Sequence, residues 1–154
     1  MQSDNVYHLL YRSFKSDYFD ENEVGKIVAS SLLNNTHLGI TGILMYRDGI
    51  FIQLLEGDED DLLKLYEEHI CKDKRHHDCK VLVSKDNQTR IFNGWSMGVV
   101  SKNLLHSEFP SFFELIEQKL EKIDDDELYE DQLISFLRKF NKSNPDLSVS
   151  PQRP

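Results

Sequence analysis

The residues able to do chemistry fall into a few groups, and one of them sits where a polar group is least welcome. Residues 49–57, Gly49-Ile50-Phe51-Ile52-Gln53-Leu54-Leu55-Glu56-Gly57, read as a buried strand with a carboxamide at its centre. A glutamine amide has several hydrogen-bonding positions to satisfy. Leaving one unpaired in an apolar interior costs about 1–3 kcal/mol. Gln53 therefore reaches backbone, water or a sheet edge, or it touches a polar ligand. Asn34 and Asn35 form a second carboxamide group. Asparagines there normally close a helix, but an amide pair also has the donors and acceptors to read the polar edge of a heterocycle. Arg75, flanked by Asp73 and His76, has the planar fork that grips a phosphate; the plainer reading is a solvated helix end. Cys71, His76, His77 and Cys79 are zinc-type ligands at a spacing that matches no usual finger. Cations complementing a helix dipole are the plainer explanation of that cluster. By default Tyr11 and Trp95 are core aromatics, and Met97 fills a gap. Glu56 comes nearest to a catalytic carboxylate, but it ends a strand before a turn. No Ser–His–Asp order, phosphate-cradling glycine loop or carboxylate pair stands out.

The chain has 154 residues, which suits one domain with one core and an appendage. Apolar residues make up 39% and charged residues 29%, so the pattern to look for is that of a water-soluble globular fold. No run approaches the roughly 18 apolar residues of a membrane span. The net charge of −9 disfavours a generic nucleic-acid binder while leaving room for a small basic pocket. Two cysteines make no disulfide framework. The first residues, Met1-Gln2-Ser3-Asp4-Asn5, have neither the basic start nor the apolar stretch of a signal peptide, so a cytoplasmic location is expected.

The elements that must position these residues follow from periodicity. Residues 6–12 are short and rich in β-formers, and Tyr7, Leu9 and Tyr11 share a face of that strand. A polar loop is expected from Ser13 to Phe19. A helix then starts at an Asp20 cap with Glu23 as its partner. It buries Val24, Ile27, Val28, Ser31 and Leu32, and ends at Asn34-Asn35-Thr36-His37. Strands over 40–46 and 50–56 flank Asp48-Gly49, a hairpin signal. Asp58 caps a second helix, whose buried face is Leu62, Leu65, Tyr66, His69 and Ile70. A charged segment, Lys72 to Asp78, leads to a strand at Val81-Leu82-Val83, and Arg90 to Val100 makes a fifth. The fold class is therefore α+β: a ferredoxin-like βαββαβ core with both helices on one face of an antiparallel sheet, plus an added strand. Beyond it, Phe109, Phe112, Phe113, Ile116 and Leu120 mark one amphipathic helix, and Leu128, Leu133, Ile134, Leu137 and Phe140 another. The acidic turn Asp124-Asp125-Asp126 joins them into a hairpin that should cover the sheet or a partner chain. The expected division is a domain over 1–101, a helical hairpin over 102–142 and a disordered tail over 143–154.

Taken together, Leu10-Tyr11-Arg12-Ser13, Asn34-Asn35, Gly39-Ile40-Thr41-Gly42, Phe51-Ile52-Gln53-Leu54-Leu55-Glu56-Gly57, Asp73-Lys74-Arg75-His76 and Phe92-Asn93-Gly94-Trp95-Ser96-Met97 resemble the BLUF family of flavin-using blue-light sensors. The likeness runs from residue 6 to about 100, in order and at the right spacings, and the appended helices are similar to those of the short BLUF proteins. It implies a flavin held between the two helices of a ferredoxin-like sheet. Tyr11 is then the electron and proton donor to the excited flavin. Gln53 lies between Tyr11 and the ring, and its amide rotates or tautomerises so that absorption shifts to the red. Asn35, with Asn34 beside it, holds the pyrimidine edge; Ile27 and Ser31 fall where the ring packs; and Asp73, Arg75 and His76 fall where the tail is held. Trp95 and Met97 fall on the last strand, which relays the change, either of them lying next to Gln53. FAD is the expected cofactor, with FMN sharing the same ring. The chain is expected not to be an enzyme, to bind no metal, membrane or nucleic acid, and to signal to an effector protein in trans, as a homo-oligomer. Two other readings compete: a cofactor-free ferredoxin-like interaction module, and an enzyme or metal protein built on the cysteine–histidine cluster.

Overall fold

A strand with neighbours on both edges and both faces has no polar side to show, and residues 50–57 form such a strand. The computed structural model describes residues 5–20, 38–47, 49–92, 98–99 and 127–143. In it, β3 (Ile50–Gly57) is buried at every position but its first. It pairs antiparallel with β1 (Asn5–Lys15) on one edge and with β2 (Thr41–Arg47) on the other. β4 (His76–Thr89) joins the free edge of β1, and the short β5 (Gly98–Val99) runs parallel to β2. The sheet order is β4-β1-β3-β2-β5.

Alternation along the strands divides the core in two. Leu9, Tyr11, Leu44, Phe51 and Leu55 turn to one face and pack with Phe19, Ile40 and Leu62. Leu62 belongs to α1 (Glu59–Leu65), whose cap is the expected one: the Asp58 carboxylate accepts from the Asp61 backbone N–H at 3.1 Å. Leu10, Ile43, Met45, Ile52 and Leu54 turn to the opposite face. There they meet Leu133, Ile134 and Leu137 of α2 (Glu127–Ser143). Because α2 lies on the far side of the sheet from α1, the two faces are both covered.

Two glycines are required by geometry. Gly49 closes the β2–β3 hairpin with φ +84°, in the left-handed region. Gly42 lies on β2 where the backbones come close: a Cβ there would stand 1.9 Å from the Leu54 carbonyl oxygen.

Several expectations need correction. β1 continues through Ser13 to Lys15, where a loop was expected. β4 is 14 residues long, not three, and takes in His76–Asp78 of the charged segment. As an edge strand it is largely exposed, so its sequence lacks the apolar alternation that marks a strand. Two of its register shifts against β1 coincide with the non-glycine residues at positive φ, Asp78 (55°) and Asn87 (58°). Asp and Asn tolerate that region better than other residues. The Arg12 guanidinium donates to the Asp78 carbonyl at 2.8 Å and secures the first of these bulges. Residues 90–92 are not strand; of the expected fifth strand only Gly98–Val99 pair with the sheet among the described residues. α1 passes into a π turn, Tyr66–Ile70, closed by the Cys71 N–H on the Tyr66 carbonyl at 2.9 Å. The wider turn throws His69 out to solvent, while Leu65, Tyr66 and Ile70 keep the core side. The helix expected to follow the Asp20 cap and end at Asn34-Asn35-Thr36-His37, the helix around Phe109 to Leu120, the acidic turn and the tail beyond Ser143 lie outside the described residues. No helix among the described residues is long and apolar enough to cross a membrane.

Gly42→Ala should force β2 and β3 apart and cost about 1–3 kcal/mol or more. Urea unfolding measures it, and an unchanged midpoint would refute the close approach.

Candidate functional site

The antiparallel register of β1 and β3 sets Tyr11 directly opposite Gln53. Both are odd-numbered positions, so both side chains leave the sheet on the α1 face. The Tyr11 hydroxyl donates to Gln53 Oε1. Tyr11 is 4% exposed and Gln53 5%, so this bond is made out of reach of bulk water. With Oε1 turned to the phenol, the donor end of the amide points away from it.

Around the phenol stand α1 and the start of β4. The Tyr66 ring lies 5.3 Å from that of Tyr11 and the His76 ring 6.4 Å from it. Burial holds the Tyr11 pKa well above its ordinary value, and the neighbouring Cys79, Tyr66, Cys71 and Asp73 push it the same way. Tyr11 is therefore a phenol with its proton in place. Cys79 is pushed up to about 12, by burial first and then by Cys71. Burial likewise raises Tyr66, with help from Cys71.

His76 ties three segments together. Its Nε2 donates to the Ile70 carbonyl at 2.5 Å, and Nδ1 lies 2.6 Å from the buried Ser13 hydroxyl. Its ring also stands edge-on to Phe51, 6.1 Å away. Both nitrogens are thus engaged inside the protein. Arg75 is braced by Asp73: Nε donates to Oδ1 at 2.9 Å and Nη2 to Oδ2 at 2.5 Å. Burial alone would raise the Asp73 carboxyl, but its hydrogen bonds and ion pair with Arg75 outweigh that and hold its pKa below the ordinary value. Both groups are about 30% exposed, at the rim of the Tyr11 face.

Of the expected site residues, the structure brings together Tyr11, Gln53 and His76, and sets Arg75 with Asp73 at the rim. Ile27, Ser31, Asn34, Asn35, Trp95 and Met97 lie outside the described residues. The zinc-type residues meet only in part: Cys79 Sγ lies 3.8 Å from His76 Nδ1 and beside Cys71, but His77 turns away to Asp78 at 3.1 Å and His76 is held by Ser13 and Ile70. Both cysteines are free thiols. Among the described residues no three His, Cys, Asp or Glu side chains are placed to hold a metal. Sequence reasoning passed over Ser13, which it left in a loop. It also treated Tyr66 as core only, although its spacing from Leu62 already put it on the face that Tyr11 shares.

The family model BLUF, described as sensors of blue-light using FAD, matches residues 6–98. The chain belongs to the BLUF family. It is 30% identical over 98 residues to photoactivated adenylate cyclase subunit beta of Euglena longa, covering 62% of this chain and 11% of that protein. It is 27% identical over 134 residues to the blue light- and temperature-regulated antirepressor BluF of Escherichia coli K12, covering 86% of this chain and 32% of that one. The BLUF chain thus spans well under two thirds of these relatives. Among solved structures, the dark state of the BLUF protein BlrB matches with a TM-score of 0.73 at 26% identity, over 92% of this chain and 98% of that one. BLUF domains are flavin-binding light sensors rather than enzymes, and their fold agrees with the ferredoxin-like α+β class read from the sequence.

The residues present suit a flavin. Its ring system is flat, aromatic and edged with carbonyls, so it calls for amide and hydroxyl partners in a dry setting. Tyr11 and Gln53 supply these at 4% and 5% exposure. Arg75, paired with Asp73, would offer a cation at the rim to a phosphorylated tail.

The raised Tyr11 pKa has a sign that can be checked. Above pH ~10 tyrosines of the unfolded chain ionise while Tyr11 stays protonated. The unfolded state then binds fewer protons, so stability is complete below pH ~10 and falls as pH rises toward the folded-state pKa. Tyr11→Phe should flatten that fall in urea titrations run across the alkaline range; an unchanged slope would refute the raised pKa.

Proposed function

We propose that this BLUF chain is a blue-light switch whose moving part is the Tyr11–Gln53 pair and whose output is a protein contact. The observation that carries this reading is the buried hydrogen bond from the Tyr11 hydroxyl to Gln53 Oε1. Bound flavin supplies the absorption of blue light and, once excited, a strong oxidant. Tyr11 gives up an electron, and its proton leaves along the bond it already makes to Gln53. Gln53 then rotates or tautomerises, because a carboxamide can exchange its donor and acceptor ends within one envelope. When electron and proton return to Tyr11, the amide would be left in its second arrangement, offering a bound ring a changed set of donors and acceptors.

The other roles follow the same reading. Asn35, beside Asn34, holds the polar edge of the ring, while Ile27 and Ser31 line its flank. Arg75 and Asp73 hold the tail, and His76 fixes the segment that carries them. Trp95 and Met97 pass the change outward to the chain beyond residue 101. FAD is favoured over FMN because the family model names it. The effector is a separate protein, met in the cytoplasm by a homo-oligomer. A link to effectors is supported by relatives named as a photoactivated cyclase and an antirepressor.

Purified protein should be yellow, with a flavin spectrum that shifts to the red under blue light and recovers in darkness. Tyr11→Phe and Gln53→Ala should each keep the colour and lose the shift. A colourless wild type would favour a cofactor-free interaction module, and an intact photocycle in Tyr11→Phe would remove Tyr11 from its role. Asn35→Ala should weaken flavin binding about five- to tenfold, the loss of roughly one hydrogen bond, read by fluorescence titration.

A further inference from the structure

Glu56 is fully buried on the α2 face of the sheet, three residues beyond Gln53 on the same strand. Its carboxylate collects four donors from three other parts of the chain. Oε2 accepts from His8 Nε2 of β1 at 3.0 Å and from the Ile91 backbone N–H at 2.5 Å. Oε1 accepts from the Thr41 hydroxyl of β2 at 3.2 Å and from the Phe92 backbone N–H at 2.9 Å. An ionised carboxylate has about four acceptor positions, and here four donors use them. The other ring nitrogen of His8, Nδ1, is buried with no hydrogen-bond partner among the described residues. Arg90 closes the outside of the cluster, its Nη1 lying 2.7 Å from the Thr41 hydroxyl oxygen and 3.2 Å from the Gly39 carbonyl.

The stretch 93–97 is thereby bracketed. Just before it, Ile91 and Phe92 hang on Glu56; just after it, Gly98 and Val99 pair with Ile43 and Leu44 of β2. A strand that binds the switching amide on one face and the backbone of 91–92 on the other has a mechanical route through its own main chain. We propose that Glu56 is a positioning residue of the light switch: it couples displacement of β3 at Gln53 to the backbone of Ile91–Phe92, and so to the output segment, without needing the side chains of that segment as the link. The proposal rests on the light-switch reading given above and extends it.

Hydrogen exchange at the Ile91 and Phe92 amides, read by NMR on the full flavin-loaded chain in darkness and under blue light, tests it. In the wild type both amides should be protected in the dark and change their exchange at least about threefold on illumination. Glu56→Gln keeps one acceptor oxygen and turns an amide donor toward groups that are themselves donors. That variant should keep the flavin and its red shift, exchange at 91 and 92 about tenfold faster in the dark, and lose the light-dependent difference. If it retains the full difference, or if wild-type exchange is the same lit and dark while the red shift is present, the coupling through Glu56 is overturned alone. If the wild type shows no red shift, the light-switch reading fails and this inference falls with it. Should Glu56→Gln not fold, the wild-type comparison decides by itself.

Discussion

Neither a phenol nor a carboxamide can be buried cheaply by itself, and the architecture on the α1 face is arranged so that neither has to be. Tyr11 and Gln53 face each other because β1 and β3 pair in one particular register. A slip of β1 by one residue would send Tyr11 to the α2 face and set Leu10 or Arg12 beside Gln53 in its place. The register is protected by apolar residues on both faces of both strands. Leu9 and Leu55 are packed under α1, and Leu10 and Leu54 under α2. The polar pair is thus held by the apolar residues around it, and those residues also keep water from competing for its hydrogen bond.

The bond has consequences for the groups nearby. Burial keeps Tyr11 protonated, so its proton already lies on the line to Gln53. Ser13, His76 and Ile70 build the wall beside it, using both imidazole nitrogens to join β1, β4 and the π turn. Residues 75 and 73 are then set at the rim by the bulged start of β4. Arginine braced on both Asp73 oxygens has lost much of its freedom already, so ordering it on an anion would cost less than ordering a mobile side chain.

The sequence made some of this legible and hid the rest for physical reasons. The apolar run around Gln53 and the Asp48-Gly49 turn announced β3 and its hairpin, because a strand covered on both faces must be apolar throughout. The helix cap at Asp58 was equally plain. β4 was legible only at Val81-Leu82-Val83, since an edge strand faces water and needs no alternation; Lys80, Lys85 and the two bulges are ordinary edge chemistry. The π turn could not be read, as the choice of an i→i−5 bond at Cys71 depends on tertiary packing, and with it went the expectation that His69 is buried. Tyr11 and Gln53 were legible as candidates, but their contact was a matter of register between strands about 40 residues apart, which motif resemblance supplied before geometry did.

Glu56 shows what that kind of reading undervalues. By type it came nearest to a catalytic carboxylate, and its place at the end of a strand counted against that role. Yet its carboxylate bonds β1, β2 and residues 91–92 at once. Any signal that starts under α1 and is read on the α2 side has to cross a sheet whose interior is close-packed. Side chains in a filled core move little without moving their neighbours. A main chain tethered on both faces moves as a unit, so β3 itself is the shortest path through the sheet. On that view the two polar residues of β3 are one device: Gln53 has two ways of being satisfied, and Glu56 has only one.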